Sequence, residues 1–416
     1  MKSPLQRDLT PLQKDLIYKE SKFGADTYKP LPVVLSKGSG VWLWDVDGNK
    51  YLDMMSAYSA VSHGHSHPEL IKVLREQSER LALTSRAFYT ETLGAFLEKL
   101  TEVSGFEVGL PMNTGAEGVE TAIKAARRWG YKSKKIPPNK AEIIVADQNF
   151  HGRTTTIISF SSDKESKENF GPLTPGFKTV KFGCIDSLRS AITENTAAFL
   201  VEPIQGEAGI VIPDPSWLPK VRELCTEKNV LLILDEVQSG LGRTGKMFAY
   251  EHSSIRPDGL ILGKALGGGL LPVSCFLSSK EVMQWFTPGS HGSTFGGFSL
   301  AAAIGKRSIE LIEEEQLAQN SMNLGNYFLN QLKEISSPII LEVRGKGLWI
   351  GIEIDTKIIT GRQLCKRLLT RGILSKETHD SVIRFAPPLV ITKKEIDWAL
   401  EIFKKVISEI ETEQQN

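Results

Sequence analysis

The chain has 416 residues, of which 41% are hydrophobic, so it is long enough for a large core and for two or three units of about 150 residues each. Its 50 basic residues and 49 acidic residues almost cancel. The protein therefore has no strong positive field with which to hold nucleic acid or an anionic membrane surface. We expect an ordinary globular protein for which nucleic acid is not a partner.

The sequence predicts a cytoplasmic location. The first residues carry acids at Asp8 and Asp15 and lack the apolar segment of a secretory signal. No apolar run approaches the roughly 20 residues that a membrane span needs. The four cysteines lie far apart and form no CxxC pair, which argues against a zinc site and a disulfide framework and fits a reducing compartment.

Two elements can be predicted in the first third of the chain. The stretch "GVWLWDVDGNKYLDM" favours a hairpin that turns at Asp47 and Gly48. The stretch "NTGAEGVETAIKAARRWG" predicts a helix that begins near Gly115, because Thr114 and Glu117 have the spacing of a capping box. Gly130 is the expected end of this helix.

Four continuous apolar runs follow and are typical of strands that are buried on both faces, as in a parallel sheet flanked by helices. They are "AEIIVAD" (141–147), "AAFLVEPI" (197–204), "VLLILDE" (230–236) and "GLILGK" (259–264). The last hundred residues differ, with an alternating strand at 348–354 and helices at 361–371 and 393–411. We therefore expect an α/β domain and a smaller α+β domain.

The predicted domain boundaries follow from this change of pattern. Residues 1–55 contribute to the small lobe, residues 56–308 form the large domain, and residues 309–416 form the C-terminal small domain.

The ends of the predicted strands indicate a ligand site. In open parallel sheets a ligand lies beyond the carboxyl ends of the strands, where Asp235, Lys264 and Gly115 are expected to meet. A buried acid can face a protonated ring nitrogen, a desolvated lysine can condense with an aldehyde, and helix N-terminal amides can bind a phosphate. An aldehyde, a pyridine nitrogen and a phosphate together describe pyridoxal phosphate.

Each of these residues has a simpler explanation when it is taken alone. Asp235 also fits a carboxylate that caps the next helix, and Lys264 fits an exposed lysine in a loop. The stretch "GKALGGG" lacks the spacing of both a P-loop and a dinucleotide-binding loop. The order of the three features along the chain, rather than any one of them, favours the cofactor.

Several motifs resemble those of the class III aminotransferases, which are pyridoxal phosphate-dependent enzymes of fold type I. These are "NTGAEGVETAIKAAR" (113–127), "NFHGRT" (149–154), "VEPIQGEAG" (201–209), "LDEVQSGLGRTG" (234–245), "GKALGGGLLPVS" (263–274) and "HGSTFGG" (291–297). The resemblance covers nearly the whole chain. It implies a large domain with a mainly parallel sheet flanked by helices, plus a smaller α+β domain.

The resemblance also implies the residues that hold the cofactor. Lys264 is implied to form the Schiff base, and Asp235 to face the pyridine nitrogen. The other implied positions are Gln238 near the ring hydroxyl, Phe150 and Val237 on the two ring faces, and Gly115, Ala116 and Thr294 at the phosphate. In this family that threonine comes from a neighbouring subunit, which implies a homodimer or a dimer of dimers.

Further motifs resemble the members of this family that act on ornithine, namely "TYKPLP" (27–32), "MMSAYSAVSHGHSHP" (54–68), "LTSRAFY" (83–89) and "IRFAPPLV" (383–390). The resemblance implies that Tyr28 and Arg153 hold the α-carboxylate and α-amino end of ornithine, and that Tyr58 favours this end. Arg384 is implied to bind 2-oxoglutarate, and Glu207 to mask Arg384 while ornithine reacts. The implied products are glutamate and glutamate semialdehyde, which closes to a pyrroline, in a ping-pong reaction of arginine catabolism and proline biosynthesis.

Alternatives to this function remain open at this point. His151 stands where many eukaryotic ornithine enzymes have tryptophan, and relatives that act on N-acetylornithine or 4-aminobutyrate also have histidine there. An aminomutase or racemase on the same scaffold would need no external oxo acid, and a binding protein would need no catalytic lysine. We interpret His63, His65 and His67 in "HGHSHP" as a loop motif and expect no metal site.

Overall fold

The computed structural model describes residues 9–415, in which strands and helices alternate through the middle of the chain. The strands are β1 (Leu35–Ser39), β2 (Trp42–Asp45), β3 (Lys50–Asp53), β4 (Val108–Met112), β5 (Glu142–Ala146), β6 (Phe177–Val180), β7 (Thr196–Val201), β8 (Leu231–Asp235), β9 (Gly259–Leu262), β10 (Ser274–Ser278), β11 (Ile340–Gly345), β12 (Ile350–Ile354), β13 (Ile373–Leu374), β14 (Lys376–Thr378) and β15 (Val382–Phe385). The helices are α1 (Pro11–Phe23), α2 (Ser56–Ser59), α3 (Pro68–Arg80), α4 (Glu91–Ser104), α5 (Gly115–Lys132), α6 (Thr155–Ile158), α7 (Ile185–Ala191), α8 (Trp217–Glu227), α9 (Lys280–Met283), α10 (Ser299–Glu314), α11 (Leu317–Lys333), α12 (Gly361–Thr370) and α13 (Lys393–Gln415).

Seven strands form the central sheet in the order β4-β10-β9-β8-β7-β5-β6. The five strands from β9 to β6 pair in parallel, and β10 pairs antiparallel with both β9 and β4. Every residue of β7 and β8 is buried, because helices cover both faces of the sheet. The four continuous apolar runs of the sequence are β5, β7, β8 and β9, so the prediction of a mainly parallel sheet is confirmed.

Helix α5 begins at Gly115 with the predicted capping box. The Thr114 side chain accepts from the amide of Glu117, and the Glu117 side chain accepts from the amide of Thr114. The predicted end at Gly130 is wrong, since the helix continues to Lys132. A Cβ at Gly130 would lie 3.0 Å from Ala197 Cβ, so this glycine allows the helix to pack closely against the sheet.

Two four-stranded sheets lie outside the central one, in the orders β1-β2-β3-β13 and β11-β12-β15-β14. The predicted hairpin of β2 and β3 is confirmed, and Gly48 in its turn has φ +82°. Strand β13 from the C-terminal region pairs in parallel with β3, so both ends of the chain contribute to one sheet. The predicted C-terminal elements appear as β12, α12 and α13. The exact domain boundaries stay a prediction.

None of the helices within residues 9–415 is both long and apolar enough to cross a membrane.

Candidate active site

A cavity of about 160 Å³ lies at the carboxyl ends of the parallel strands. Strands β8 and β9 lead into it directly, and helix α5 begins beside it. Its lining residues are Gly115, Ala116, Phe150, His151, Gly152, Glu202, Ile204, Asp235, Val237, Gln238, Ser239 and Lys264. The fold therefore brings together seven of the eight residues that the sequence predicted around a cofactor.

Asp235 is the last residue of β8 and provides a buried carboxylate at this cavity. Its side chain is only 5% exposed. Its Oδ1 accepts from the amide of Val237 at 3.0 Å, and its Oδ2 lies 2.7 Å from His151 Nδ1. Burial disfavours a charged His151, but the hydrogen bond and charge of Asp235 outweigh it and raise the pKa of this imidazole. The pair holds the Asp235 carboxyl group in place next to the cavity.

Lys264 follows β9 and begins a short 3₁₀ turn with φ +44°. Burial lowers the pKa of its ammonium group to about 8, although the nearby carboxylates of Glu207 and Asp235 favour the charged form. A lysine with this pKa has a large neutral fraction near pH 8 and is a competent nucleophile there. The backbone of Lys264 adopts a conformation that non-glycine residues seldom take, as is common at functional sites.

The N-terminus of α5 forms one side of the cavity. The first amides of a helix have no partner within it and lie at the positive end of the helix dipole, so Gly115 and Ala116 are placed to bind an anion. Space here is tight, since a Cβ at Gly115 would lie 3.0 Å from the Val237 side chain. Phe150 and Val237 supply apolar surface, and Gln238 Oε1 is a buried acceptor without a hydrogen-bond partner among the described residues.

A second cavity of about 420 Å³ shares Phe150, His151 and Gly152 with the first. Its other lining residues are Gln148, Asn149, Arg153, Ile157, Ser161, Ser162, Asp163, Glu165, Ser166, Glu207, Thr378 and His379. The two cavities together offer room for a group bound near Lys264 and for a substrate that extends towards Arg153.

Glu207 and Arg384 form an ion pair beside these cavities. Arg384 Nη1 lies 2.7 Å from Glu207 Oε1, which also accepts from Gln238 Nε2 at 3.1 Å. Burial alone would raise the pKa of Glu207, but the guanidinium of Arg384 lowers it below its usual value. The Arg384 side chain is 4% exposed, so a carboxylate is required close to it, and Glu207 supplies that carboxylate.

The ring of Tyr58 lies next to Arg384, whose guanidinium carbon is 4.9 Å from the ring centroid. Tyr58 belongs to a left-handed turn in which Ser56, Ala57, Tyr58 and Ser59 all have φ between +43° and +72°. Left-handed backbone costs roughly 1–2 kcal/mol for each such residue. The Asp53 carboxylate compensates by accepting the amide of Ser56 at 2.8 Å. Burial raises the pKa of the Tyr58 hydroxyl, so it remains neutral.

Three of the predicted site residues are exposed in the single chain. Tyr28 is 81% exposed, and the Arg153 side chain is 63% exposed with its nearest carboxylate, Asp163, 3.9 Å away. Thr294 is exposed and does not line the cavity at Lys264. These three side chains are therefore accessible in the single chain.

Glu202 was not predicted, yet it lines the cavity. It accepts the amide of Phe150 at 2.9 Å and the amide of Gly206 at 3.2 Å, so it fixes two segments of the site. Burial raises its pKa to about 7. The position of Glu202 could have been predicted from the sequence, because Glu202 directly follows the apolar strand β7, just as Asp235 ends β8. Ile204 and Ser239 were also missed, and so was the pairing of His151 with Asp235.

The three histidines of "HGHSHP" bind separate partners. His63 Nε2 lies 2.8 Å from Ser308 O. His65 Nε2 lies 2.7 Å from Asp53 Oδ2, and His67 Nε2 lies 3.0 Å from Glu315 Oε1. No group of three metal-ligating side chains occurs within the described part of the chain.

Comparisons with known proteins show the family to which the chain belongs. The family model of class-III aminotransferases matches residues 23–407. An ornithine aminotransferase from Brevibacillus brevis is 54% identical over 392 residues, which are 94% of this chain and 98% of that protein. The chain belongs to the class-III aminotransferase family and has its fold-type-I architecture.

Two solved structures are similar over nearly their whole length. An ornithine aminotransferase from Toxoplasma gondii has a TM-score of 0.96 and 42% identity, with 97% of this chain and 96% of that chain covered. That crystal structure has partial occupancy of PLP at its active site. An acetylornithine aminotransferase from Elizabethkingia anophelis has a TM-score of 0.87 and 44% identity, with 95% of this chain and 99% of that chain covered.

Proposed function

We propose that this protein is a pyridoxal phosphate-dependent ornithine aminotransferase that moves the δ-amino group of L-ornithine to 2-oxoglutarate. The Glu207–Arg384 pair carries the proposal, because it places a masked arginine beside the cavity that contains Lys264 and Asp235. The 54% identity to ornithine aminotransferases over most of the chain supports the choice of substrate. The products are glutamate and glutamate 5-semialdehyde, which cyclises to pyrroline-5-carboxylate.

The lining residues fit pyridoxal phosphate. The amides of Gly115 and Ala116 suit the phosphate, Phe150 and Val237 suit the two faces of a ring, and the unpartnered Gln238 Oε1 suits a hydroxyl donor. Asp235 offers a buried negative charge to a protonated pyridine nitrogen. When bound, the cofactor supplies an aldehyde that exchanges with primary amines and a ring that accepts electron density.

Lys264 has two roles in this proposal. Its amine would hold the cofactor through the aldehyde, and a substrate amine that replaced it there would leave it as a free base. The free Nζ would then take the proton from the reacting carbon of the substrate. Its lowered pKa serves both roles, since a protonated ammonium group is neither a nucleophile nor a base.

The orientation of ornithine decides which of its two amines reacts. We assign Arg153, Tyr28 and Tyr58 to the α-carboxylate and α-amino end. An arginine binds a carboxylate through two parallel hydrogen bonds, so its position fixes which end of the substrate is held away from Lys264. Arg153 lines the second cavity, which leaves the δ-amine to enter the first.

Glu207 controls access to Arg384 in the two half-reactions. While Glu207 covers Arg384, the site is suited to an amine without a neighbouring carboxylate. When 2-oxoglutarate enters, its α-carboxylate replaces Glu207 on Arg384. This exchange keeps the buried guanidinium paired throughout, which avoids the cost of an isolated buried charge.

A second copy of the chain completes the site in our proposal. Thr294 lies in an exposed loop with Phe295, which is 49% exposed, and Phe88 and Tyr89 are 70% and 106% exposed. Aromatic surface of this kind is typical of an interface. We infer a homodimer, or a dimer of dimers, in which Thr294 contributes to the phosphate site of the neighbouring subunit. We further assign the reaction to the cytoplasm and to arginine catabolism and proline biosynthesis.

A comparison of amino donors tests the proposed function. The purified protein with pyridoxal phosphate and 2-oxoglutarate is assayed with L-ornithine, N-acetyl-L-ornithine and 4-aminobutyrate. We expect the highest kcat/KM for L-ornithine, with formation of the pyrroline. A higher kcat/KM for either other donor would contradict the substrate assignment, and turnover without an oxo acid would indicate a mutase or racemase.

Replacing Tyr58 by isoleucine is expected to reduce kcat/KM for L-ornithine by about 10- to 100-fold. The change removes the hydroxyl and the aromatic ring beside Arg384, and a hydrogen bond to a charged group contributes about 1.5–3 kcal/mol. Tyr58→Phe retains the ring and serves as the matched control for the hydroxyl. Ornithine kinetics that are unchanged in Tyr58→Ile would contradict the assignment of Tyr58 to the substrate.

The uptake of pyridoxal phosphate by the apoprotein is expected to depend on pH through Lys264. The neutral amine predominates above its pKa, so the uptake rate should rise with pH and level off above about 8. A lysine with the ordinary pKa of ~10.4 would give a rate that rises well beyond that point. The measurement is the absorbance change on mixing apoprotein and cofactor across a pH series. A midpoint near the ordinary value would contradict the lowered pKa.

A further inference from the structure

We infer that Thr378 is a positioning residue that fixes the main chain of Glu207 and thereby sets how strongly Glu207 competes with a substrate carboxylate for Arg384. The inference rests on the proposed function. Thr378 Oγ1 donates to the carbonyl oxygen of Glu207 at 2.6 Å. No role was predicted for Thr378 from the sequence. Thr378 lines the second cavity together with Glu207.

One hairpin holds Glu207 at two points. Thr378 is the last residue of β14, which pairs antiparallel with β15, and Arg384 lies on β15. Arg384 binds the carboxylate of Glu207 at 2.7 Å, and Thr378 binds its carbonyl oxygen. Because both contacts come from the same short hairpin, the backbone of Glu207 has a fixed position relative to the guanidinium.

Only one of these two contacts is lost when the Glu207 side chain moves. Rotation of the Glu207 side chain breaks its bond to Arg384, but it does not involve the carbonyl oxygen that Thr378 holds. The backbone therefore remains in place as a pivot, and the carboxylate stays within reach of Arg384. A carboxylate held near its partner competes more strongly with a ligand in solution than one on an untethered segment.

The local backbone explains why a tether is useful. Glu207 lies between Gly206, whose amide binds Glu202, and Gly209, which has φ +108°. This segment belongs to no named strand. A single isolated bridge joins Gln205 and Val211. Glycine has more backbone freedom than other residues, and the Thr378 hydroxyl holds the carbonyl group that lies between the two glycines.

The test measures the binding of glutarate, an unreactive five-carbon dicarboxylate, to the cofactor-loaded protein by calorimetry. Thr378→Val retains the shape of the side chain and removes the hydroxyl, so Glu207 should compete less well for Arg384. We expect glutarate to bind about fivefold more tightly to this variant, as the loss of one neutral hydrogen bond predicts. Thr378→Ser retains the hydroxyl and is expected to bind glutarate with the affinity of the unmodified protein.

A double-mutant cycle separates positioning from a general effect on the hairpin. In a Glu207→Ala background there is no carboxylate to position, so Thr378→Val should no longer change the affinity for glutarate. Equal affinities of the unmodified protein and Thr378→Val would overturn the inference, and so would an effect that persists in the Glu207→Ala background. Thr378→Ala replaces the valine variant if that variant does not fold, with the same expected direction.

Failure of the proposed function would be seen separately. It would appear as a lack of ornithine turnover by the unmodified protein, whereas the glutarate cycle reports only on Thr378, Glu207 and Arg384. In catalysis, Thr378→Val is expected to lower KM for 2-oxoglutarate by a similar factor while kcat changes little.

Discussion

Replacing Lys264 by alanine is expected to lower transamination by at least about 10³-fold. The change removes the only group at the end of β9 that can both attach the aldehyde and move the proton, and proton transfer by a positioned side chain alone contributes about 10²–10⁴-fold. The measurement is steady-state turnover of L-ornithine with 2-oxoglutarate, together with thermal unfolding to verify the fold.

Two control variants show which property of the lysine matters. Lys264→Arg retains a positive charge, but its guanidinium is always protonated, so it should be as inactive as the alanine variant. Lys280→Ala removes an exposed lysine at the start of α9 and should retain full activity. Turnover close to normal in Lys264→Ala would contradict the mechanism.

Replacing Asp235 by asparagine is expected to lower kcat by about 10²–10³-fold, the cost of removing one preorganised electrostatic partner. Asparagine has the same shape but no negative charge with which to keep a ring nitrogen protonated. It also removes the charge that raises the pKa of His151, so this imidazole should become neutral at a lower pH. The measurements are kcat and the histidine titration by NMR.

Asp258→Asn is the matched control for this change. Asp258 precedes β9 at the opposite edge of the same sheet, where it accepts from the amide of Leu232 and from Arg222, both at 2.7 Å. Its replacement should reduce thermal stability and leave kcat near normal. A similar kcat for Asp235→Asn and the unmodified protein would show that the ring nitrogen does not need the charge of Asp235.

The sheet and its catalytic edge were predictable because their signals are local. Continuous apolar runs identify β5, β7, β8 and β9, and residues that end such runs necessarily meet at one edge of a parallel sheet. The capping box at Thr114 and Glu117 fixed the start of α5 for the same reason. Gly130 misled the prediction, since a glycine that ends a helix and one that allows close packing look alike in sequence.

The turn at 56–59 was not predictable from its residues. Ser, Ala and Tyr have no preference for left-handed backbone, and the turn is held by contacts with distant segments of the chain. Ser56 Oγ donates to Ala386 O at 2.7 Å, and the buried Arg243 Nη2 lies 3.1 Å from Ser56 Oγ. The Thr378–Glu207 bond likewise joins residues 171 positions apart. Such contacts exist only once the fold has formed.

Isotope labelling shows most directly which amine of ornithine is transferred. L-Ornithine with heavy nitrogen at only the δ position, and in a second sample at only the α position, is incubated with the protein, pyridoxal phosphate and 2-oxoglutarate. Mass spectrometry of the glutamate then shows the origin of its nitrogen. We expect labelled glutamate from the δ-labelled sample and unlabelled glutamate from the α-labelled sample. Labelled glutamate from the α-labelled sample would contradict the roles given to Arg153, Glu207 and Arg384.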